Sequence, residues 1–322
     1  MEKKPVTTAA VDIGTNSVKM VVVRREGDGF LSVLFDAATV TRLGKGIDTS
    51  GNLDESAAKR TLDALESFGA RASELGATRI VAVGTAALRD AGESGAAFVE
   101  AAQTALGGTV EVITGQREAE LTFYAASGDP DIVATLPANP LLVTCDLGGG
   151  STEIVQGIGG EIFYAASLQI GAVRLTDRAN LTDPVTADAF QTAALLANAA
   201  VADVPTPLPA LAPVLVVSGG TAANLAAIVV AKNGAPVTLE TVHGYRLTRE
   251  QVEETTAYLA SLTLSDRRAV PGLEPDRADV IVAGAIILGR VMAQIGVDTV
   301  TVSVRGLRYG LLYEVFGGFT LR

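Results

Sequence analysis

Apolar positions along this chain fall in short runs divided by glycine turns, alternating with longer stretches of helical spacing. Val6 to Ile13 is one such run, and it closes in Asp12-Ile13-Gly14-Thr15-Asn16-Ser17. A second run, Val18 to Arg24, follows at once, and a third covers Phe30 to Val40. Runs of this length across a tight turn predict strands linked as hairpins. Leu53 to Leu75 reads as a helix, with Leu62, Leu65 and Phe68 at helical spacing and Asn52 or Asp54 as its cap. Arg79 to Val83 then predicts a strand, and Thr85 to Arg89 the start of a short helix after Gly84. Ser94 to Leu106 predicts a helix stopped by Gly107-Gly108, Val110 to Ile113 a strand, and Gln116 to Ser127 a helix. Strands and helices in alternation are the α/β pattern.

Gly128-Asp129-Pro130 and Pro137-Ala138-Asn139-Pro140 break the chain, which places a domain boundary near Ser127: residues 1–127 and 128–322. The second half repeats the scheme. The run Leu141 to Cys145 enters Asp146-Leu147-Gly148-Gly149-Gly150-Ser151-Thr152-Glu153, and strands begin at Leu141, Glu153 and Glu161. Asp12 to Ser17 and Asp146 to Ser151 share one layout: apolar strand, Asp, apolar residue, Gly, small polar turn, Ser, strand. That is an internal repeat at the scale of a domain. Gly171 to Arg178, Thr186 to Val204, Arg249 to Leu262 and Asp276 to Ile295 read as helices. Pro205 to Pro213 is a proline-rich loop, and Val214 to Val217 a buried strand ending in Ser218-Gly219-Gly220-Thr221. Thr299 to Val304 is a last strand and Leu307 to Phe316 a last helix.

Composition narrows the function. At 322 residues and 48% apolar content, a sizeable core is available. A net charge of −11 disfavours nucleic-acid binding, which needs a basic surface. The single cysteine, Cys145, forms no intrachain disulfide and lies in a strand beside Asp146, so it reads as inert packing in a reducing setting. His243 is the only histidine, which nearly excludes a His-based metal site or a Ser-His-Asp triad; it reads as a capping or core residue. Met1 to Pro5 lacks the apolar segment of a signal peptide, and Val280 to Leu288 is too short to span a bilayer. A soluble, cytoplasmic protein is expected, without nucleic-acid or membrane partners.

Glycine turns follow apolar strands at Gly14, Gly148 and Gly219. Successive glycines let backbone N–H groups line a concavity that binds anions. An aspartate at the strand end can hold a divalent cation against the same anion. In α/β sheets ligands lie beyond the carboxyl ends of strands. Single glycine turns are common, but three of them, two with Asp at matched places, point to phosphate with metal.

At this point the chain resembles a known family. Two phosphate loops, with Asp12 and Asp146, and a later Gly219-Gly220-Thr221, resemble the superfamily of actin, hexokinase and the heat-shock chaperone ATPases. Gly84-Thr85-Ala86-Ala87-Leu88-Arg89-Asp90 and Ile113-Thr114-Gly115-Gln116-Arg117-Glu118-Ala119-Glu120 add to the two loops. So do Gly171-Ala172-Val173-Arg174, Pro271 to Asp279 and Ser303 to Leu311. Together they look like the exopolyphosphatase / guanosine pentaphosphate phosphohydrolase (Ppx/GppA) family, and the resemblance runs from Asp12 to Leu311.

The resemblance implies two ribonuclease-H-like, actin-like ATPase domains flanking a cleft, with the last helix, about 306–317, returned to the first domain, and Mg2+-dependent hydrolysis of a terminal phosphoanhydride in polyphosphate or guanosine pentaphosphate. Phosphoryl transfer depends mostly on positioning and charge neutralisation. The amides of Gly148, Gly149, Gly150 and Ser151 are expected on one side of the phosphate, and those of Gly14, Thr15, Asn16 and Ser17 on the other. Asp12, Asp146 and Glu153 are the expected metal residues. Glu118 is the expected catalytic acid, orienting or deprotonating water, with Glu120 as the fallback because Arg117 stands where the family carries a paired acid. By itself Glu118 would be one more charge on a helix. Arg89 falls at the family's phosphate-binding arginine. Arg42, Lys45, Arg174, Arg267 and Arg305 are further candidates for a polyphosphate chain. Ser218 to Thr221 matches the place where kinases of the superfamily bind adenosine, and reads here as a structural turn. Longer members carry an extra helical domain with an HD metal motif; the short, two-domain form is expected here, with a homodimer by analogy. The competing readings are a superfamily kinase for a small molecule and a non-catalytic phosphate or nucleotide sensor.

Overall fold

The computed structural model describes residues 6–26, 30–208 and 211–318. The chain divides into two compact units, one running up to Pro130 and resuming at Leu307, the other running from Asp131 to Gly306.

The first unit opens with β1 (Val6–Ile13), β2 (Ser17–Arg25) and β3 (Leu31–Val40). It continues through α1 (Ile47–Ser50), α2 (Glu55–Glu74), β4 (Arg79–Gly84), α3 (Ala86–Asp90), α4 (Gly92–Leu106), β5 (Val110–Val112) and α5 (Gly115–Ser127). The sheet order is β3-β2-β1-β4-β5, with β1 antiparallel to β2 and parallel to β4. Side chains alternate across a strand, and both faces of β1 are covered. Ala9, Val11 and Ile13 join a core with Leu65, Phe68 and Phe98 from α2 and α4. Ala10, with Val21 and Val23 of β2, faces Leu121 of α5 and Leu307 and Leu312 of the last helix. Burial on both faces is why β1 reads as a continuous apolar run rather than an alternating one.

After α6 (Pro130–Val133), the second unit contains β6 (Leu141–Leu147), β7 (Thr152–Ile158), β8 (Glu161–Leu168), α7 (Ala172–Arg178) and α8 (Ala187–Val201). Then come β9 (Val214–Ser218), α9 (Gly220–Lys232), α10 (Leu239–Val242), β10 (Arg246–Thr248), α11 (Arg249–Ser261), α12 (Leu264–Arg268), α13 (Ile281–Ile295) and β11 (Thr299–Val302). The order is β10-β11-β9-β6-β7-β8. Read from β8, this is the first sheet again: hairpin pair, central strand, then parallel strands, with β10 added at the far edge. The internal repeat seen in the two Asp-Gly turns therefore extends to the whole sheet topology.

The last helix, α14 (Leu307–Phe316), packs in the first unit against α5. Tyr313 stacks on Tyr124 with ring centroids 5.8 Å apart. Arg308 donates twice to Asp36, each at 3.0 Å, and the Tyr309 hydroxyl donates to the same carboxylate at 2.7 Å. At Gly310 the helix lies directly on the Leu121 carbonyl, where an added Cβ would fall inside contact distance.

Two differences from the sequence expectation have local causes. The helix expected over 276–295 is split. The N–H groups of Arg277, Ala278 and Val280 bond three residues back, as in Arg277 N–H to Glu274 O at 2.9 Å and Val280 N–H to Arg277 O at 3.1 Å. The first four-residue bond, Gly284 N–H to Val280 O, opens α13. β10 has three residues, too few to display a period. Among the described residues, no helix is long and apolar enough to cross a membrane.

Gly310→Ala is expected to lower the unfolding free energy by about 1–3 kcal/mol, the usual cost of overpacking. A denaturant midpoint equal to that of the parent would show that the α14–α5 approach is not tight.

Candidate active site

In the first unit the chemistry gathers where three parallel strands end. Thr85 N–H donates to Ile13 O at 3.2 Å, and Ile113 N–H to Gly84 O at 3.1 Å, so the exits of β1, β4 and β5 lie side by side. Asp12, near the end of β1, is 4% exposed. The hairpin register sets it opposite Lys19, whose Nζ donates to Asp12 Oδ2 at 3.1 Å. The turn closes with Gly14 N–H donating to Ser17 O at 3.1 Å. The Asn16 carbonyl accepts from the amides of Thr41 and Arg42, at 3.0 and 2.9 Å, which anchors the turn. The Asn16 side chain, in a residue 6% exposed, has no hydrogen-bond partner at either Oδ1 or Nδ2. Buried amides are nearly always paired, and an unpaired one marks a place that a ligand or water completes.

Arg89 on α3 donates from Nη1 to Glu118 Oε2 at 2.7 Å and to the Ile113 carbonyl at 3.0 Å. Its Nη2 is buried without a hydrogen-bond partner. Glu118 lies in the first turn of α5 and is 6% exposed. Thr114 caps that helix, its Oγ1 accepting from Arg117 N–H at 3.2 Å. The carboxylate thus lies against a guanidinium at the positive end of the helix. Glu120 is half-buried and accepts from Gln116 at 3.1 Å, while Arg117 turns to Glu314. Of the two acids weighed from sequence, Glu118 is the buried one aligned with Arg89.

The second unit repeats this hairpin with different side chains. Gly148 N–H donates to Ser151 O at 3.1 Å, matching the first turn. The Gly148 and Gly149 carbonyls accept from the first amides of α7, Ala172 at 3.0 Å and Val173 at 2.9 Å. Asp146 lies opposite Glu153 in the β6–β7 register, and both are buried. Directly opposed residues share a face of the sheet, and like charges in that position repel. Where unit one has Asp12 with Lys19, unit two has Asp146 with Glu153. The acid pair is a donor set of hard oxygens suited to a cation such as Mg2+.

Some expectations need correction. The Gly14 and Gly148 amides are spent inside their own turns, so Thr15 to Ser17 and Gly149 to Ser151 are the candidates for a phosphate. Arg267 is buried and donates to the carbonyls of Leu259, Leu262 and Ala278, so it holds a fold corner rather than a substrate. Burial pushes its pKa down. Arg305 donates to Asp131 at 2.8 Å, and Arg174 is buried with Nη1 donating to Gln169 at 2.9 Å. Arg42 is half-buried and Lys45 exposed on the loop after β3. Gly219 has φ +105°, and a Cβ there would strike the Leu147 carbonyl, so the third glycine turn serves the close approach of β9 to β6. The Cys145 thiol is fully buried; burial first, then the charges of Asp146 and Glu153, push its pKa well up, as fits inert packing. His243 Nδ1 accepts from Val304 N–H at 3.4 Å. Sequence reasoning missed Lys19 and Ser167, and read Ser218 only as part of a structural turn. Lys19 was legible in principle, because a hairpin closing at Gly14 and Ser17 pairs positions 12 and 19.

Comparison with known proteins agrees with this geometry. Residues 22–318 match the model of the Ppx/GppA phosphatase family. The chain is similar to Exopolyphosphatase 2 of Mycobacterium tuberculosis, 32% identical over 96% of this chain and 98% of that one. It is also similar to the guanosine-5'-triphosphate,3'-diphosphate pyrophosphatase of Photobacterium profundum, 30% identical over 98% of this chain and 61% of that one. Among solved structures it resembles the Aquifex aeolicus Ppx/GppA family member, with a TM-score of 0.77, 30% identity, and coverage of 97% and 98% of the two chains. The repeated sheet, the paired hairpins and these matches make the chain a member of the Ppx/GppA phosphatase family, with two actin-like domains.

Proposed function

We propose that this protein releases terminal phosphate from inorganic polyphosphate, guanosine pentaphosphate or both, using water as the acceptor and Mg2+ as cofactor. The observation that carries the proposal is the Arg89–Glu118 pair, its carboxylate buried, at the strand exits where the Asn16 turn also lies. The nearly full-length match to an exopolyphosphatase puts polyphosphate first among the substrates to try.

The roles follow from the chemistry of each group. Glu118 accepts a proton from the attacking water, and Arg89 holds that carboxylate turned to one side. Arg89 Nη2, the Asn16 amide and the amides of Thr15 to Ser17 bind phosphate oxygens. In the second unit the amides of Gly149 to Ser151 do the same. Asp146 and Glu153 are the residues to hold Mg2+, which supplies charge neutralisation for the phosphate when bound. Asp12, already carrying the Lys19 ammonium, fits better as the group that positions Lys19 than as a direct ligand.

The decisive assay measures Mg2+-dependent phosphate release from long polyphosphate, short polyphosphate, guanosine pentaphosphate and ATP. Release from polyphosphate or guanosine pentaphosphate without a phosphoryl acceptor supports the reading, and no release from either overturns it. Glu118→Gln is expected to lower kcat by about 10²–10⁴-fold, the range for loss of a general base. Glu120→Gln should stay near the parent; the opposite ranking would move the catalytic role to Glu120. Thr114→Ala should cost about 1 kcal/mol of stability through the lost cap. It should also lower kcat more than it raises KM, because the turn that carries Glu118 loosens. A changed KM with kcat intact would show that Thr114 does not position the acid.

A further inference from the structure

The second sheet places four polar side chains in a single row. Ser218 ends β9 and pairs in parallel register with Asp146 on β6. Asp146 pairs with Glu153 on β7, and Glu153 pairs with Ser167 on β8. Side chains in register lie on one face of the sheet, so the row reads Ser218, Asp146, Glu153, Ser167. The hydroxyls stand at its two ends and donate inward. Ser218 Oγ donates to Asp146 Oδ1 at 2.9 Å, and Ser167 Oγ donates to Glu153 Oε1 at 2.7 Å.

The corresponding row in the first sheet is Val83, Asp12, Lys19, Ala38. It carries one acid and one base, and its outer positions are apolar. The hydroxyls therefore occur only in the copy whose centre is two acids. A hydrogen bond to one oxygen of a carboxylate fixes the rotation of its plane. With the outer oxygens so held, both carboxylates are set before a cation arrives, and less ordering remains to oppose its binding.

We propose that Ser218 and Ser167 are positioning residues that orient Asp146 and Glu153 toward a divalent cation. The inference rests on the reading that these two acids hold the metal. A purely structural role, satisfying buried carboxylates, would alter stability and leave metal affinity unchanged.

The test titrates Mn2+ alone into the intact protein by isothermal calorimetry, with thermal unfolding measured in parallel, for the parent, Ser218→Ala, Ser167→Ala and Asp146→Asn. Each serine variant is expected to bind Mn2+ about 10–100-fold more weakly, the usual effect of losing a hydrogen bond behind a metal ligand. The Mg2+ concentration for half-maximal phosphate release should rise in step. Serine variants that bind Mn2+ as the parent does, while Asp146→Asn binds none, would overturn the inference and leave the metal assignment standing. Mn2+ binding undiminished in Asp146→Asn would overturn both. If an alanine variant loses its folded baseline, the size-matched Ser218→Cys or Ser167→Cys variant is judged by the same criteria.

Discussion

Two buried carboxylates held side by side on adjacent strands repel each other, and the rest of the second unit has to accommodate that repulsion. Asp146 and Glu153 are fixed opposite one another by strand register rather than by flexible loops. Register is in turn fixed by the buried alternation of β6: Val143, Cys145 and Leu147 belong to the core, so residue 146 must face the other way. A slip of one residue would bury the acid among aliphatic side chains. The apolar core thus does more than stabilise the unit. It determines which side chains face one another across β6 and β7.

The first unit solves the same geometric problem with the opposite charge. Its hairpin places Lys19 where the second places Glu153, and Asp12 is neutralised within the protein. One topology used twice therefore yields two different electrostatic sites, and the difference lies in one side chain per hairpin. The acid proposed for catalysis comes from elsewhere in the first unit. Glu118 sits on α5, whose position depends on the cap at Thr114 and on the packing of α14 at Gly310 and Tyr313. A helix from the far end of the chain thus supports the turn that carries Glu118.

Much of this was legible from residues alone. The apolar runs, the two Asp-Gly turns and the strand–helix alternation depend on local preferences and on burial, and both leave a period in the sequence. Helix α2 begins after Asp54 because its side chain accepts from Ala57 N–H at 2.9 Å, a local bond that a local reading can anticipate. The 3-10 turn before α13 was not legible, since a three-residue and a four-residue bond pattern share nearly the same apolar spacing. Arg267 was misjudged for a different reason. Three backbone carbonyls converge on its guanidinium, and a sequence does not reveal which carbonyls lack partners.

Residues alone were enough to give the α/β class, the doubled Asp-Gly turn layout and the identities of the acids, because turn chemistry and hydrophobic period are properties of neighbours along the chain. Only the packed molecule settled which of Glu118 and Glu120 is buried against Arg89, and that Ser218 and Ser167 flank the acid pair. Those outcomes depend on cross-strand register and on helices packed from distant positions. Partners brought together in that way are separated by tens of residues, as Asp146 and Ser218 are by 72, and no local pattern encodes them.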